Sequence, residues 1–245
     1  YWMQAVTAGW LTGEPHNDIW AYRIPSVLAG IFAVLFVFGL GRKLFDEEVG
    51  LISAGILASS LLVIGESHIA KTDAVLFACV AAAQLLIPEF FLAARQGAPQ
   101  PKVRYSALMG LAIGIGILVK GPMILFFVGL TVIAVSMWER RWGWVMSMRP
   151  IFALGIIILI NVPWLVAIGL VTKGEYFAEA IGQDFLGKAL SSQESHWGPP
   201  GYYLVSLLVG FWPGWLFLAP GIVYGIARSR EGAVRFLLAW IIPAW

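Results

Sequence analysis

Residues 24–43 read Ile-Pro-Ser-Val-Leu-Ala-Gly-Ile-Phe-Ala-Val-Leu-Phe-Val-Phe-Gly-Leu-Gly-Arg-Lys. No side chain between Arg23 and Arg42 carries a charge. The apolar run Ile24–Leu40 is long enough for one bilayer crossing, which takes roughly 17–25 residues. It ends on the basic pair Arg42-Lys43, as a crossing that emerges on the basic side of a membrane does. The same pattern recurs along the chain, over residues 49–65, 74–94, 105–119, 122–138, 151–171 and 201–227, and again from 236 to 245. The run at 105–119 is short and is expected to borrow residues from its flanks or to tilt within a bundle. Of the 245 residues 60% are hydrophobic and only 12% are charged, whereas soluble domains carry about 25% charged residues. Mean hydropathy is +0.82. The reading is an all-α, polytopic transmembrane helix bundle, a single domain over residues 1–245.

Outside these runs the chain is sparse. Residues 1–22 read as an interfacial segment, with Trp2 and Trp10 as interface anchors and a turn at residues 13–17. Residues 172–200 form the longest loop. The lone Cys79 lies within an apolar run, so no disulfide framework or Cys-based metal site can be built within this chain. The sequence opens in mid-pattern at Tyr1-Trp2 and stops within an apolar run, and the expectation is a piece of a longer protein.

The loops sort by sign. Of 16 Lys and Arg, eleven fall in one alternate set: Arg42, Lys43, Arg95, Lys102, Arg104, Arg140, Arg141, Arg149, Arg228, Arg230 and Arg235. The other set holds Arg23, Lys71, Lys120, Lys173 and Lys188. An excess of Lys and Arg marks cytoplasmic loops, so the second set is read as extracytoplasmic. That set also holds His16, His68, His196 and eight of the 14 acidic residues. Functional side chains usually sit on loops held by a rigid scaffold, which places the candidate site on the extracytoplasmic face.

Three constellations stand there. The first is Glu66-Ser67-His68-Ile69-Ala70-Lys71-Thr72-Asp73. Thr72 or Asp73 makes an ordinary helix N-cap and Lys71 an ordinary snorkelling side chain. Three further ionisable groups in one short hairpin, Glu66, His68 and Asp73, are more than a hairpin needs at membrane depth. The second is Lys120-Gly121-Pro122. Pro122 suits a helix start and Gly121 a tight turn. Lys120 is the only charge between Arg104 and Glu139, and it suits either a snorkelling lysine or a point charge for an anionic ligand such as a phosphate. The third is Gln193-Glu194-Ser195-His196 through Pro199-Pro200-Gly201-Tyr202-Tyr203. Glu194 and His196 could serve as an acid/base pair or hold a divalent metal. Tyr202 and Tyr203 fit an aromatic belt or a surface for stacking a sugar. No phosphate-binding Gly-Lys-Ser/Thr loop or dinucleotide fingerprint is present, and nothing indicates a nucleic-acid partner. Gly110, Gly114 and Gly116 lie in an apolar run, where close helix packing explains them.

The motifs Tyr1-Trp2-Met3-Gln4-Ala5, Arg23-Ile24-Pro25-Ser26, Ala70-Lys71-Thr72-Asp73-Ala74, Lys120-Gly121-Pro122 and Gln193 through Tyr203 occur in this order. In that order the chain resembles the bacterial polyprenyl-phosphate-dependent glycosyltransferases, the ArnT-like and protein-mannosyltransferase-like group with the GT-C fold. The resemblance covers nearly the whole chain. It implies a multi-pass protein of the bacterial inner membrane, active at the periplasmic face. A sugar would pass from a polyprenyl-phosphate carrier to a lipid A-like lipid, a protein or a glycan. It implies short periplasmic interfacial helices. It assigns Lys71 and Lys120 to basic positions facing the donor phosphate, with Arg23 adding charge, and Asp73 to an acidic catalytic position. Glu194 and His196 match the loop that covers the pocket, with His68, Tyr202 and Tyr203 in reach of substrate. The resemblance names no cofactor, and the pair Glu194 and His196 permits a divalent metal. Relatives of this kind carry an acidic periplasmic loop and a Lys-Pro motif ahead of the Tyr-Trp, so part of the active site is expected upstream of Tyr1. The competing reading is a polytopic transporter or lipid flippase. That reading calls for ionisable groups or broken helices near the bilayer midplane, and the run centres hold little beyond Gln84, Asn161 and Pro163.

Overall fold

The computed structural model describes residues 2–12, 19–173 and 202–242. These are helices joined by short turns: α1 (Trp2–Thr12), α2 (Ile19–Leu44), α3 (Glu47–Ala58), α4 (Leu61–His68), α5 (Asp73–Gln96), α6 (Val103–Lys120), α7 (Met123–Glu139), α8 (Gly143–Ser147), α9 (Pro150–Val171), α10 (Tyr202–Gly210), α11 (Leu218–Ala227) and α12 (Gly232–Ile241). Four of them, α2, α5, α6 and α9, are long and apolar enough to cross a membrane, and the bent pair α3–α4 makes a fifth. The chain is a multi-pass membrane protein.

The hub is α5. In its most apolar stretch 67% of residues are buried, against 11% in α9. Four of its alanines, Ala74, Ala78, Ala81 and Ala83, are buried and let neighbouring helices approach. Without a hydrophobic driving force in lipid, helices associate through small residues and interhelical hydrogen bonds. Both devices appear. A Cβ on Gly41 would lie 2.7 Å from the Gly50 Cα, so α2 and α3 touch backbone to backbone. A Cβ on Gly110 would lie 2.9 Å from the Ala153 carbonyl oxygen, and Gly114 faces Ile160 of the same helix, α9. Gly116 packs on Ile124 of α7. The glycines are packing surfaces, as the sequence suggested. Buried Asn161 of α9 donates to the Gly114 carbonyl at 3.0 Å, and fully buried Gln84 of α5 donates to Thr131 Oγ1 of α7 at 2.8 Å. The polar residues at mid-helix are therefore used in helix–helix bonds.

Two expected crossings are interrupted. The run at 49–65 splits into α3 and α4, which meet at 60°. The break falls at Ser59-Ser60. The Ser59 hydroxyl lies 2.9 Å from the Gly55 carbonyl oxygen and 3.0 Å from that of Ile56, and Ser60 has extended backbone. Hydroxyls that bond back into their own helix bend or end it. The run at 201–227 splits into α10, a 3-10 turn over residues 214–217 and α11, because Pro213 brings no N–H to a helical ladder. The two interruptions face each other: Ser60 Oγ donates to the Gly210 carbonyl at 2.9 Å, and a Cβ on Gly214 would lie 2.7 Å from Ile56. The Gly210 carbonyl at the break is thus satisfied within the protein, as irregular backbone at membrane depth requires. The short run at 105–119 does borrow from its flanks, as α6 spans Val103–Lys120. Of the 1–22 segment, α1 forms a separate helix held by Thr7 Oγ1, 3.0 Å from the Ala21 carbonyl oxygen, while residues 19–22 belong to α2. The last run starts earlier than expected, at Gly232.

Candidate functional site

The starts of α2 and α5 and the ends of α4 and α6 come together at one end of the bundle. Asp73 is the first residue of α5 and Lys120 the last of α6, and their side chains form an ion pair. Thr72 occupies the N-cap position without a capping side-chain bond, so the carboxylate beside it is directed to Lys120 instead. Gly121, at φ +66°, carries the chain out of α6 through a conformation that favours glycine, and Pro122 begins the turn into α7. The pair is about 40% exposed on both sides. Exposed pairs contribute only ~0–1 kcal/mol, so it is a weak strut, and an incoming anion can compete for Lys120.

Lys71 is placed through its backbone. Fully buried Ser26 of α2 donates to the Lys71 carbonyl at 2.9 Å. One turn further along α2, a Cβ on Gly30 would collide with Ser67 Oγ, so the 67–71 connection sits tightly on that helix. Arg23 lies one turn before Ser26, at i−3 on α2. Arg23 and Lys71 are exposed, and neither has an acid partner among the described residues. His68 is also exposed, with Nδ1 2.7 Å from the Ile64 carbonyl oxygen. A carbonyl only accepts, so Nδ1 carries the proton and Nε2 is left as the free ring nitrogen. Glu66, not assigned a role from the sequence, has a buried Oε2 without a hydrogen-bond partner among the described residues. Its ionisable type was the only signal available.

Beneath these groups lies an apolar groove of about 500 Å³ between α2, α5 and α6. Pro25 and Val75, each two residues from Arg23 or Asp73, stand at its upper end, and Leu28, Phe32, Ala82 and Leu111 line it further down. Leu28, Phe32 and Leu111 are 43–51% exposed, so the groove is open sideways to the lipid. The sequence reading found the cations but not the groove, whose walls come from helices distant along the chain.

Asp73, Lys71, Lys120, Arg23 and His68 are thus brought to one end of the bundle. Glu194 and His196 lie outside the described residues, as does the metal suggested for them. Tyr202 and Tyr203 open α10. Among the described residues no group of three or more His, Cys, Asp or Glu could hold a metal ion.

Comparison with known proteins bears on the family and the fold. The chain is 30% identical to an undecaprenyl phosphate-alpha-4-amino-4-deoxy-L-arabinose arabinosyl transferase of Edwardsiella ictaluri, over 99% of this chain and 43% of the relative. It is 29% identical to the protein of that name in Erwinia tasmaniensis, over 99% and 42%. The chain therefore spans less than half the length of these curated relatives. Among solved structures it superposes on the crystal structure of ArnT from Cupriavidus metallidurans in the apo state with a TM-score of 0.75, at 18% identity, covering 98% of this chain and 42% of that one. The structure of the same protein bound to undecaprenyl phosphate gives 0.72. At that identity the likeness is one of fold. The family model described as dolichyl-phosphate-mannose-protein mannosyltransferase matches residues 2–166, and with most of its length so matched the chain belongs to that family, in an ArnT-like helical membrane fold.

Proposed function

We propose that the protein is a membrane glycosyltransferase that moves a sugar from a polyprenyl-phosphate carrier to an acceptor hydroxyl or phosphate. The observation that carries this reading is the pairing of a cationic cluster with an open apolar groove. Lys71, Lys120 and Arg23 stand over a lipid-facing channel, which suits an amphiphile with an anionic head and a long hydrocarbon tail. The names of the curated relatives, with undecaprenyl phosphate as carrier, point the same way. The activity belongs to the whole protein, of which this chain would supply the donor-phosphate part.

In the proposed reaction an acceptor oxygen attacks the anomeric carbon of the bound sugar. The bond between that carbon and the phosphate oxygen breaks, and polyprenyl phosphate leaves with the electron pair. Negative charge builds on the leaving phosphate in the transition state, where fixed cations stabilise it. Lys120 and Lys71 take that role, with Arg23 widening the positive field. Asp73 holds Lys120 in register until the phosphate arrives, which makes it a positioning carboxylate. The acceptor's proton passes to a carboxylate or imidazole, for which Glu194 and His196 are the residues of matching chemistry. Tyr202 and Tyr203 offer rings for sugar stacking. The Lys/Arg excess at the other end of the bundle supports a bacterial inner-membrane orientation with this site periplasmic. The acceptor class is a lipid, a protein or a glycan.

The test is reconstitution of the whole protein in liposomes with a polyprenyl-phosphate-linked sugar and candidate acceptors. Sugar transfer that falls in Lys120→Ala and Lys71→Ala variants supports the proposal. Donor movement between leaflets with no transfer across a broad donor panel replaces it with a flippase.

A further inference from the structure

A second pocket, at the opposite end of the bundle, plays no part in the proposed transfer. It measures about 310 Å³ and joins the end of α5, the end of α7 and the short α8, a size within the range of small-ligand sites. Its wall includes Phe91, Arg95, Glu139, Arg141 and Trp144. Glu139, only 15% exposed, forms ion pairs with both Arg95 and Arg235, and Arg95 also donates to the Arg230 carbonyl at 2.8 Å. One carboxylate thus serves two guanidinium groups. Arg140, at φ 53°, turns the chain at the end of α7, and the exposed Arg141 after it has no acid partner among the described residues. The pocket is net positive. Trp144 is only 5% exposed, packs edge-on against Phe91 at 5.8 Å, and its enclosed indole N–H has no acceptor among the described residues. Nearby, Trp138 and Trp142 are 41% and 55% exposed, as anchors at headgroup depth are.

We infer that this pocket binds the phosphate of an anionic phospholipid headgroup. Guanidinium groups match phosphate geometry, and basic pockets between transmembrane helices on the basic side of a membrane recognise such headgroups. Arg95 is the fixed cation, held by Glu139 and the Arg230 carbonyl. Arg141 is the free one that closes on the ligand. The Phe91 and Trp144 side chains in the wall border the glycerol. An occupant ties α5, α7 and α8 together, so binding raises thermal stability.

The experiment titrates the purified full-length protein, in neutral detergent, with phosphatidylglycerol, phosphatidylcholine or inorganic phosphate. Lipid retention is followed by native mass spectrometry and stability by thermal unfolding. Saturable binding of phosphatidylglycerol with a rise in Tm is expected, with phosphatidylcholine inert and inorganic phosphate competing only at much higher concentration. Arg141→Gln, which breaks no ion pair, lowers phosphatidylglycerol affinity by about tenfold and leaves sugar transfer unchanged. Equal binding of the two lipids, or undiminished phosphatidylglycerol binding by Arg141→Gln, overturns the inference. Inorganic phosphate bound as tightly as the lipid overturns the lipid as its source.

Discussion

At the basic end of the bundle, Glu139 pairs with Arg95 and Arg235, Lys43 with Glu89, and Arg149 donates to the Pro101 carbonyl at 3.0 Å. Arg235 also lies over the Trp138 ring. At the other end Asp73 pairs with Lys120 while Arg23 and Lys71 meet no acid among the described residues. Both ends are rich in charge, yet at the first the charges fasten α5, α7 and α12 to one another, and at the second the single ion pair is exposed and Arg23 and Lys71 have no acid partner among the described residues. Burial tracks the difference. Glu139 and Arg235 are about 15% exposed, whereas Asp73 and Lys120 are about 40% exposed. A cation fastened to a buried carboxylate is committed to structure, and one in an exposed pair can change partners when an anionic ligand arrives.

The contrast can be broken from either side. Lys120→Ala should give the largest effect, a fall in sugar transfer by roughly 100-fold, as when a group facing transition-state charge is removed. Its Tm should hardly move, since an exposed pair contributes ~0–1 kcal/mol. Steady-state transfer assays with parallel thermal unfolding check both halves. Glu139→Ala should do the reverse, costing about 2 kcal/mol of stability by stranding two guanidinium groups, while the folded fraction keeps its donor KM. Equal Tm losses for the two variants would abolish the distinction between the ends. Filling the groove with Ala82→Trp should raise the donor KM by about tenfold and spare the binding of a short, tail-free phosphate analogue, measured by competition. Ser26→Ala should give the smallest effect, about 1 kcal/mol for one lost hydrogen bond. It should also lower transfer a few-fold, because the Lys71 segment loses its tie to α2.

Much of this was legible in the residues. Residues 24–43 announce a crossing by length and by the Arg42-Lys43 stop, and the 151–171 run matches α9 to within one residue. Lys71, Asp73 and Lys120 stood out because ionisable groups are rare in so apolar a chain. The bends were less legible. Ser59-Ser60 breaks a run that composition alone shows as continuous, since the hydroxyls bond back to Gly55 and Ile56 while Ser60 is caught by Gly210, 150 residues on. The Asp73–Lys120 pair was hidden as well, as its partners are 47 positions apart.

Sequence by itself therefore determined the class of the molecule and its apolar runs, four of which became single helices long enough to cross a membrane. These depend on local composition, because the bilayer tests each segment for hydrocarbon character along its own length. The tertiary structure alone decided which charges are fastened and which are free, where the helices break, and that the cations sit above a groove. Those features depend on which distant segments meet, through the packing of α2, α5 and α6 and the contacts of Gly41, Gly110 and Ser60, and no local pattern encodes that meeting.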